Sequence, residues 1–202
     1  MVCGGTEYGA WLKTETPVYY VLDRTIGGAI NYHTILSGLW NFSKNQSIQT
    51  DKKAMEGAAK VIFSSHWAAH HAQDLYGISK AKTAVIPFGA NLDSVPSRNE
   101  AMQAKPLGVC KLLLIGTYWH NKGADIAYNT LLLLLNAGVN AHLTVVGCEA
   151  PQGLKHEKLK VIPFVDKNSA EGLKIMWDLF SEHHFFILPT RFDCTPIVYC
   201  EA

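Results

Sequence analysis

The sequence predicts an α/β fold in which parallel sheets are covered by helices on both faces. Short runs rich in Val, Ile and Leu alternate with helix-length amphipathic segments along nearly the whole chain, the pattern of strands buried on both sides. This order restarts after a stretch containing Pro96, Ser97, Asn99 and Pro106, which divides the chain into two successive units. Of 202 residues, 48% are hydrophobic, with 18 basic and 17 acidic side chains, enough apolar content for real cores and too little net charge for disorder.

Residues 17–22 read as a buried strand, and residues 26–42 and 52–59 as helices separated by the polar stretch 43–50. Strand 61–63 ends at Ser64-Ser65, either of which can cap the helix expected over 67–76. Residues 83–87 form the next strand, closed by Phe88-Gly89. Residues 91–107 lack strand alternation and read as a linker with a short helix over 99–104. The expected organisation is therefore a first domain over 1–92, a linker over 93–107 and a second domain over 108–202.

The second domain opens with strand 111–115 and helix 122–137, with Gly138 just past its end. Strands follow over 141–146 and 160–163, then helix 169–181 and strand 185–188. Pro196 suits the first turn of a final helix. About two turns of that helix precede Ala202, a length that is marginal without packing, so the chain reads as truncated there. An unpartnered strand at 17–22 points to missing neighbours at the other end, with Gly4-Gly5 an ordinary turn.

Charge and composition exclude several function classes. A net charge of +1 without clustered Lys and Arg gives no basis for nucleic-acid binding. The longest apolar runs, 112–115 and 131–135, fall far short of the ~20 residues that cross a bilayer, and the N-terminus carries no signal-peptide pattern. The five cysteines (Cys3, Cys110, Cys148, Cys194 and Cys200) are odd in number and form no Cys-x-x-Cys pair. They read as buried thiols in a reducing cytoplasm.

In parallel α/β sheets ligands bind beyond the C-terminal ends of the strands, which directs attention to 116–122, to Gly147 and to 189–201. In the last segment Asp193 and Glu201 are separated by seven residues. One lies in the loop after a strand and the other about a turn into the next helix, near amides that attract phosphate. Such carboxylates can accept two hydrogen bonds from a vicinal diol, although an acid that merely complements a helix dipole has the same spacing. In the first segment a strand ends at Gly116 and a helix starts at Lys122, a plausible anion site with the lysine as a point charge. A solvated lysine near a turn is the plainer reading, and the segment is neither a Walker loop nor a Gly-x-Gly-x-x-Gly fingerprint.

Taken together, these segments resemble glycosyltransferase family 4, the large group with the GT-B fold. Gly116 and Lys122-Gly123 match its strand-Gly-loop-Lys-Gly pattern, Val145-Val146-Gly147 its "ivG" strand end, and Pro189-Thr190-Arg191 its Pro-Ser/Thr-Arg. Asp193 and Glu201 fall on its Glu-x7-Glu motif, and the stretch from Val85 through Gly89 to Asp93 resembles its "vipnGvd". The resemblance covers the chain from about Pro17 onward.

It implies two Rossmann-like units, both incomplete: the C-terminal part of an acceptor domain and most of a nucleotide-sugar domain. It implies transfer of a hexose from a UDP-, GDP- or ADP-sugar, with retention and without a metal or other cofactor. Lys122 would neutralise the diphosphate, Glu201 hold the ribose and Asp193 hold the sugar hydroxyls, so these three are the candidate catalytic residues. Gly116, Thr117 and Gly147 would line the donor site, and amides around Thr195, Pro196 and Ile197 would cradle the phosphates. The acceptor would be a sugar, a lipid or a small molecule, with room for peripheral membrane association. The chain departs from the family in two places. Thr117-Tyr118 stand where a basic residue is common, and the first motif carboxylate is Asp, one methylene short.

His66 and His70, four apart with His71 beside them, have helical spacing that can chelate a metal. No third ligand is evident, so they read as exposed helix histidines. His183-His184 read as the start of a strand. Two other function classes remain: a non-catalytic nucleotide-binding module, and a Rossmann oxidoreductase, the latter disfavoured because no dinucleotide fingerprint follows any strand.

Overall fold

A computed structural model describes residues 1–30, 32–92, 95–101, 105 and 107–202, with the backbone alone at Thr34 and Ile35. The chain divides into two compact units, Met1–Gly89 and Ala90–Ala202. Of the expected linker helix, Arg98–Ala101 is present; its remainder, and Asp93 of the family-like stretch, lie outside the described residues.

The first unit is a parallel sheet in the order β1-β2-β3-β4. Its strands are β1 (Val2–Cys3), β2 (Tyr19–Leu22), β3 (Lys60–Phe63) and β4 (Thr83–Val85). β1 corrects the picture of a strand without a neighbour: Val2 pairs with Tyr19 and Cys3 with Tyr20, and the Tyr19 amide donates to the Met1 carbonyl at 2.8 Å. Tyr20, Val61 and Phe63 are almost fully buried and pack with Met55 and Tyr76 into one core.

The helices of this unit differ from expectation in an instructive way. The helix expected over 26–42 is two short ones, α1 (Ile26–Ala29) and α2 (Thr34–Ser37). Gly27 and Gly28 lie within α1, and their first-turn amides, which have no acceptor inside the helix, donate to the Tyr76 hydroxyl and the Thr25 side chain. The polar stretch 43–50, expected to separate helices, is helical within α3 (Asn41–Gly57). Ile48, Asp51, Ala54 and Met55 form its inward stripe. An aspartate in that stripe conceals the amphipathic period from a hydrophobicity reading. α4 (His66–Tyr76) is capped by the Ser65 hydroxyl, which accepts from the Ala68 amide, and ends at Gly77 in the left-handed region.

After α5 (Arg98–Ala101), the second unit holds a parallel sheet in the order β7-β6-β5-β8. These are β5 (Cys110–Ile115), β6 (Ala141–Val146), β7 (Leu159–Ile162) and β8 (Phe185–Phe186). Leu112 and Leu114 pack on one face with Ala127 and Leu131 of α6 (Ala124–Asn136). Leu113 and Ile115 pack on the other with Met176 and Leu179 of α7 (Ala170–Glu182). Two-sided burial explains the unbroken apolar run of β5, each leucine contributing about 2 kcal/mol. α6 starts two residues later than expected, after Gly123. β8 is two residues shorter, although the Ile187 amide still donates to the Leu113 carbonyl.

Pro196 precedes the final helix rather than forming its first turn. α8 is Val198–Glu201, and the Pro196 carbonyl accepts from the Tyr199 amide at 3.0 Å in the turn that leads into it. None of the five cysteines is in a disulfide, and only Cys148 is buried; Cys3, Cys110 and Cys194 are half-buried and Cys200 is exposed.

His183, at the entry to β8, is a buried link between α7 and β6. Its Nδ1 lies 2.6 Å from the Leu179 carbonyl and its Nε2 2.8 Å from the Thr144 hydroxyl. Burial lowers its pKa from 6.5. Between that depressed value and 6.5 the unfolded chain binds a proton that the folded chain does not, so stability falls as the pH drops through this window. Amide exchange of β5 and β6 is expected to be faster at pH 5.5 than at pH 7.5 after correction for intrinsic rates. The difference should shrink in His183→Gln; an equal difference in both proteins would refute the assignment.

Candidate functional site

The sequence places its candidate residues on three loops at the C-terminal ends of β5, β6 and β8, and the second unit draws the first and third of these together. The Gly116 amide extends the β5 ladder to the Val146 carbonyl, and the Gly147 amide extends β6 to the Ile162 carbonyl. A Cβ on Gly116 would lie 2.6 Å from Cγ of Lys122, so the missing side chain lets the lysine stem fold back over the strand end. Gly147 has φ of 96°, and a Cβ there would lie 3.1 Å from the Gly116 carbonyl.

The loop between β5 and α6 is fastened to the loop after β8 by Arg191. Its backbone amide donates to the Asn121 carbonyl at 2.8 Å, and its guanidinium donates to the His120 carbonyl at 2.7 Å. The same guanidinium grips both oxygens of Asp125, in the first turn of α6, at 2.7 and 2.8 Å, the bidentate geometry that arginine favours. The Thr190 hydroxyl adds a bond to the Asn121 carbonyl at 3.0 Å. The Arg191 hydrogen bond holds the Asp125 carboxyl below its usual pKa range. Gly123 takes φ of 73° and lies so close to Pro189 that a Cβ would sit 2.0 Å from its carbonyl oxygen.

This clamp brings together Lys122 and Asp193. The lysine Nζ donates to Oδ2 of Asp193 in a tight ion pair, with side chains 20% and 16% exposed. Glu201 has a different partner, Lys167 from the loop between β7 and α7, at 3.0 Å, and its side chain is only 5% exposed. α8 is held by Tyr199, whose hydroxyl donates to the Leu188 carbonyl at 2.8 Å and whose ring meets Phe186 edge-on at 5.3 Å. That anchoring answers the marginal length of the helix. A helix of four residues has little macrodipole, so a phosphate near Thr195, Pro196 and Ile197 would meet individual amides rather than a helix end. These three residues are half-buried, and Thr117 is exposed.

Two residues of this edge escaped the sequence reading. Asp125 is an acidic residue in a first helical turn, a common surface feature, and nothing local marks it as the partner of Arg191. Lys167 sits in a polar loop, 34 positions from Glu201. In the first unit, His66 and His70 are exposed with ring centroids 6.1 Å apart, while His71 Nδ1 lies 2.9 Å from the Thr25 hydroxyl. Among the described residues no group of three or more His, Cys, Asp or Glu could hold a metal ion, and no helix is long and apolar enough to cross a membrane.

No protein-family model matches the sequence, and no curated protein does. Among solved structures the chain resembles the catalytic domain of starch synthase IV from Arabidopsis thaliana bound to ADP and acarbose. The TM-score is 0.50 at 10% sequence identity, over 88% of this chain and 47% of that one. The chain thus spans about half the length of the protein it resembles. At this identity the likeness shows the fold: α/β, with two Rossmann-like units of the GT-B class.

Proposed function

We propose that this chain is the donor-binding part, with a portion of the acceptor side, of a family 4 glycosyltransferase. In this reading it moves a hexose from a nucleoside-diphosphate sugar to a sugar, lipid or small-molecule acceptor in the cytoplasm. Transfer proceeds with retention and needs no metal or other cofactor. Residues 1–92 belong to the acceptor side and 108–202 to the donor side. The observation that carries the reading is the Lys122–Asp193 pair, held by the Arg191 clamp at the C-terminal strand ends, with Glu201 anchored on the following helix. The fold likeness to a starch synthase domain that binds ADP supports the same class of donor.

The chemistry follows from charge. Departure of a nucleoside diphosphate develops negative charge on the leaving oxygen and oxocarbenium character on the sugar. Lys122 offers a fixed cation for the former, and Asp193 orients it until a diphosphate shares it. The stabilisation is greatest where the charge develops. Asp193, released in part from the lysine, can then accept bonds from the sugar hydroxyls. A ribose diol donates to Glu201 in competition with Lys167.

The test is a titration of the wild type, Lys122→Ala and Glu201→Ala with UDP, GDP, ADP and NAD, and with the 2′-deoxy form of the best ligand. Loss of Lys122 should weaken diphosphates much more than nucleosides, with a penalty that shrinks at high salt. Loss of Glu201 should weaken both by about tenfold to a hundredfold, the effect of charge-assisted hydrogen bonds worth roughly 1.5–3 kcal/mol. The 2′-deoxy ligand should bind the wild type worse yet scarcely distinguish wild type from Glu201→Ala. If the deoxy penalty persists undiminished in that variant, Glu201 does not hold the ribose; preference for NAD would replace the reading altogether.

A further inference from the structure

Tyr118 is the one described residue other than glycine with positive φ, at 65°. A left-handed conformation costs an L-residue roughly 1–2 kcal/mol, and for a bulky side chain it is a genuine outlier. Asn121, a type that tolerates this region well, is three positions further on in the same loop, yet the strain falls on the tyrosine. Burial does not offset it, because Tyr118 is 74% exposed. The next residue, Trp119, turns inward to pack against the β5–α6 core, so the kink sends one aromatic side chain in and the other out. Among the described residues the Tyr118 hydroxyl has no hydrogen-bond partner.

The loop that holds this strained residue is firmly fixed. The Lys122 amide donates to the Tyr118 carbonyl at 3.1 Å and the Ala124 amide to the Trp119 carbonyl at 2.9 Å. Arg191 binds the His120 and Asn121 carbonyls from outside. Tyr118 therefore stands one backbone turn from Lys122, beyond the end of β5. Charged groups on the loops at this sheet edge are mutually satisfied: Lys122 by Asp193, Arg191 by Asp125, and Lys167 by Glu201. His120 Nδ1 also lies 3.9 Å from Asp125. An anion arriving at this edge meets paired cations, with the exposed Tyr118 hydroxyl among the neutral donors of the loop.

We propose that Tyr118 is a ligand-binding residue of this edge, whose phenolic O–H donates to the diphosphate of the bound nucleotide. The proposal rests on the donor-site reading given above and deepens it. A neutral donor lets the site take up a dianionic group without first breaking the Lys122–Asp193 pair. The left-handed backbone at Tyr118 is what aims the hydroxyl outward, which explains why the strain persists at this position.

The test compares wild type, Tyr118→Phe, Tyr118→Asn and Tyr118→Gly in calorimetric titrations with the preferred nucleoside diphosphate, its nucleoside and inorganic pyrophosphate. Each variant's thermal midpoint is measured alongside. Tyr118→Phe should weaken the diphosphate and pyrophosphate by about tenfold, the effect of losing a hydrogen bond to a charged group, and leave the nucleoside unchanged. Tyr118→Asn and Tyr118→Gly should show the same loss with thermal midpoints equal to or above that of the wild type, because both residues accept the left-handed backbone. Wild-type diphosphate affinity in Tyr118→Phe overturns the proposal, and so does an equal loss of nucleoside and diphosphate. Absence of any nucleotide binding by the wild type would instead reject the donor-site reading on which the proposal rests.

Discussion

Replacing Asp51 with alanine is expected to destabilise the first unit by about 3–5 kcal/mol, a large part of the stability of a domain this size. Asp51 is 2% exposed, and its carboxylate collects three donors from separate parts of the chain. Oδ1 accepts from the Thr6 hydroxyl at 2.5 Å, and Oδ2 accepts from the Ile26 amide and the Tyr76 hydroxyl at 2.7 Å each. Burial raises its pKa in spite of these bonds. Alanine would strand all three donors, each at roughly 1–3 kcal/mol. Asn retains one acceptor oxygen but turns an amide N–H toward existing donors, so Asp51→Asn should cost about half as much. Amide exchange of β2 and β3 is the direct measurement, since it reads this unit apart from the other. Wild-type protection in Asp51→Ala would mean that the three donors find water and that the carboxylate is dispensable.

Gly123→Ala is expected to damage the second unit and the candidate site together. Its φ of 73° alone costs alanine about 1 kcal/mol, and a Cβ would sit 2.0 Å from the Pro189 carbonyl oxygen. That oxygen belongs to the backbone and cannot swing aside, so the two loops must part. Their separation breaks the Thr190 and Arg191 bonds to Asn121 and pulls Lys122 from Asp193. A loss of about 3 kcal/mol or more is expected, with nucleotide affinity down by over tenfold. Gly138→Ala is the control: φ there is 78° but nothing lies within 4 Å of the added Cβ, so only the backbone strain of about 1 kcal/mol applies. Thermal midpoints of the two variants should therefore differ clearly, and equal midpoints would exclude a close approach of the loops.

The second unit was legible in the sequence because its signals are local and agree with one another. The unbroken Leu112-Leu113-Leu114-Ile115 run announces a strand buried on both faces. Ser169 announces the start of α7, where its hydroxyl accepts from the Gly172 amide at 3.0 Å. The first unit was less legible for a reason that the fold makes plain. Asp51 occupies a core position, so the inward stripe of α3 reads as polar, and the segment 26–42 looks continuously helical although α1 stops at Ala29 and α2 starts only at Thr34. β1 is two residues long, too short for alternation to register, and is a strand only because β2 lies beside it.

By itself the sequence determined the α/β order, the parallel strands of the second unit and the loops on which charged residues gather. Periodicity, glycines and capping residues are set by neighbours within a turn or two, and a linear reading captures them. Which charges meet was decided only by the tertiary structure. Lys122 finds Asp193 across 71 positions, Arg191 finds Asp125 across 66, and Glu201 finds Lys167 across 34. Each pairing exists because parallel strands bring the loops after β5, β7 and β8 to one edge, and for the loops after β5 and β8 the glycines at 116 and 123 leave room for the close approach. No local pattern records such a meeting, since its cause is the closure of long loops on a sheet assembled elsewhere in the chain.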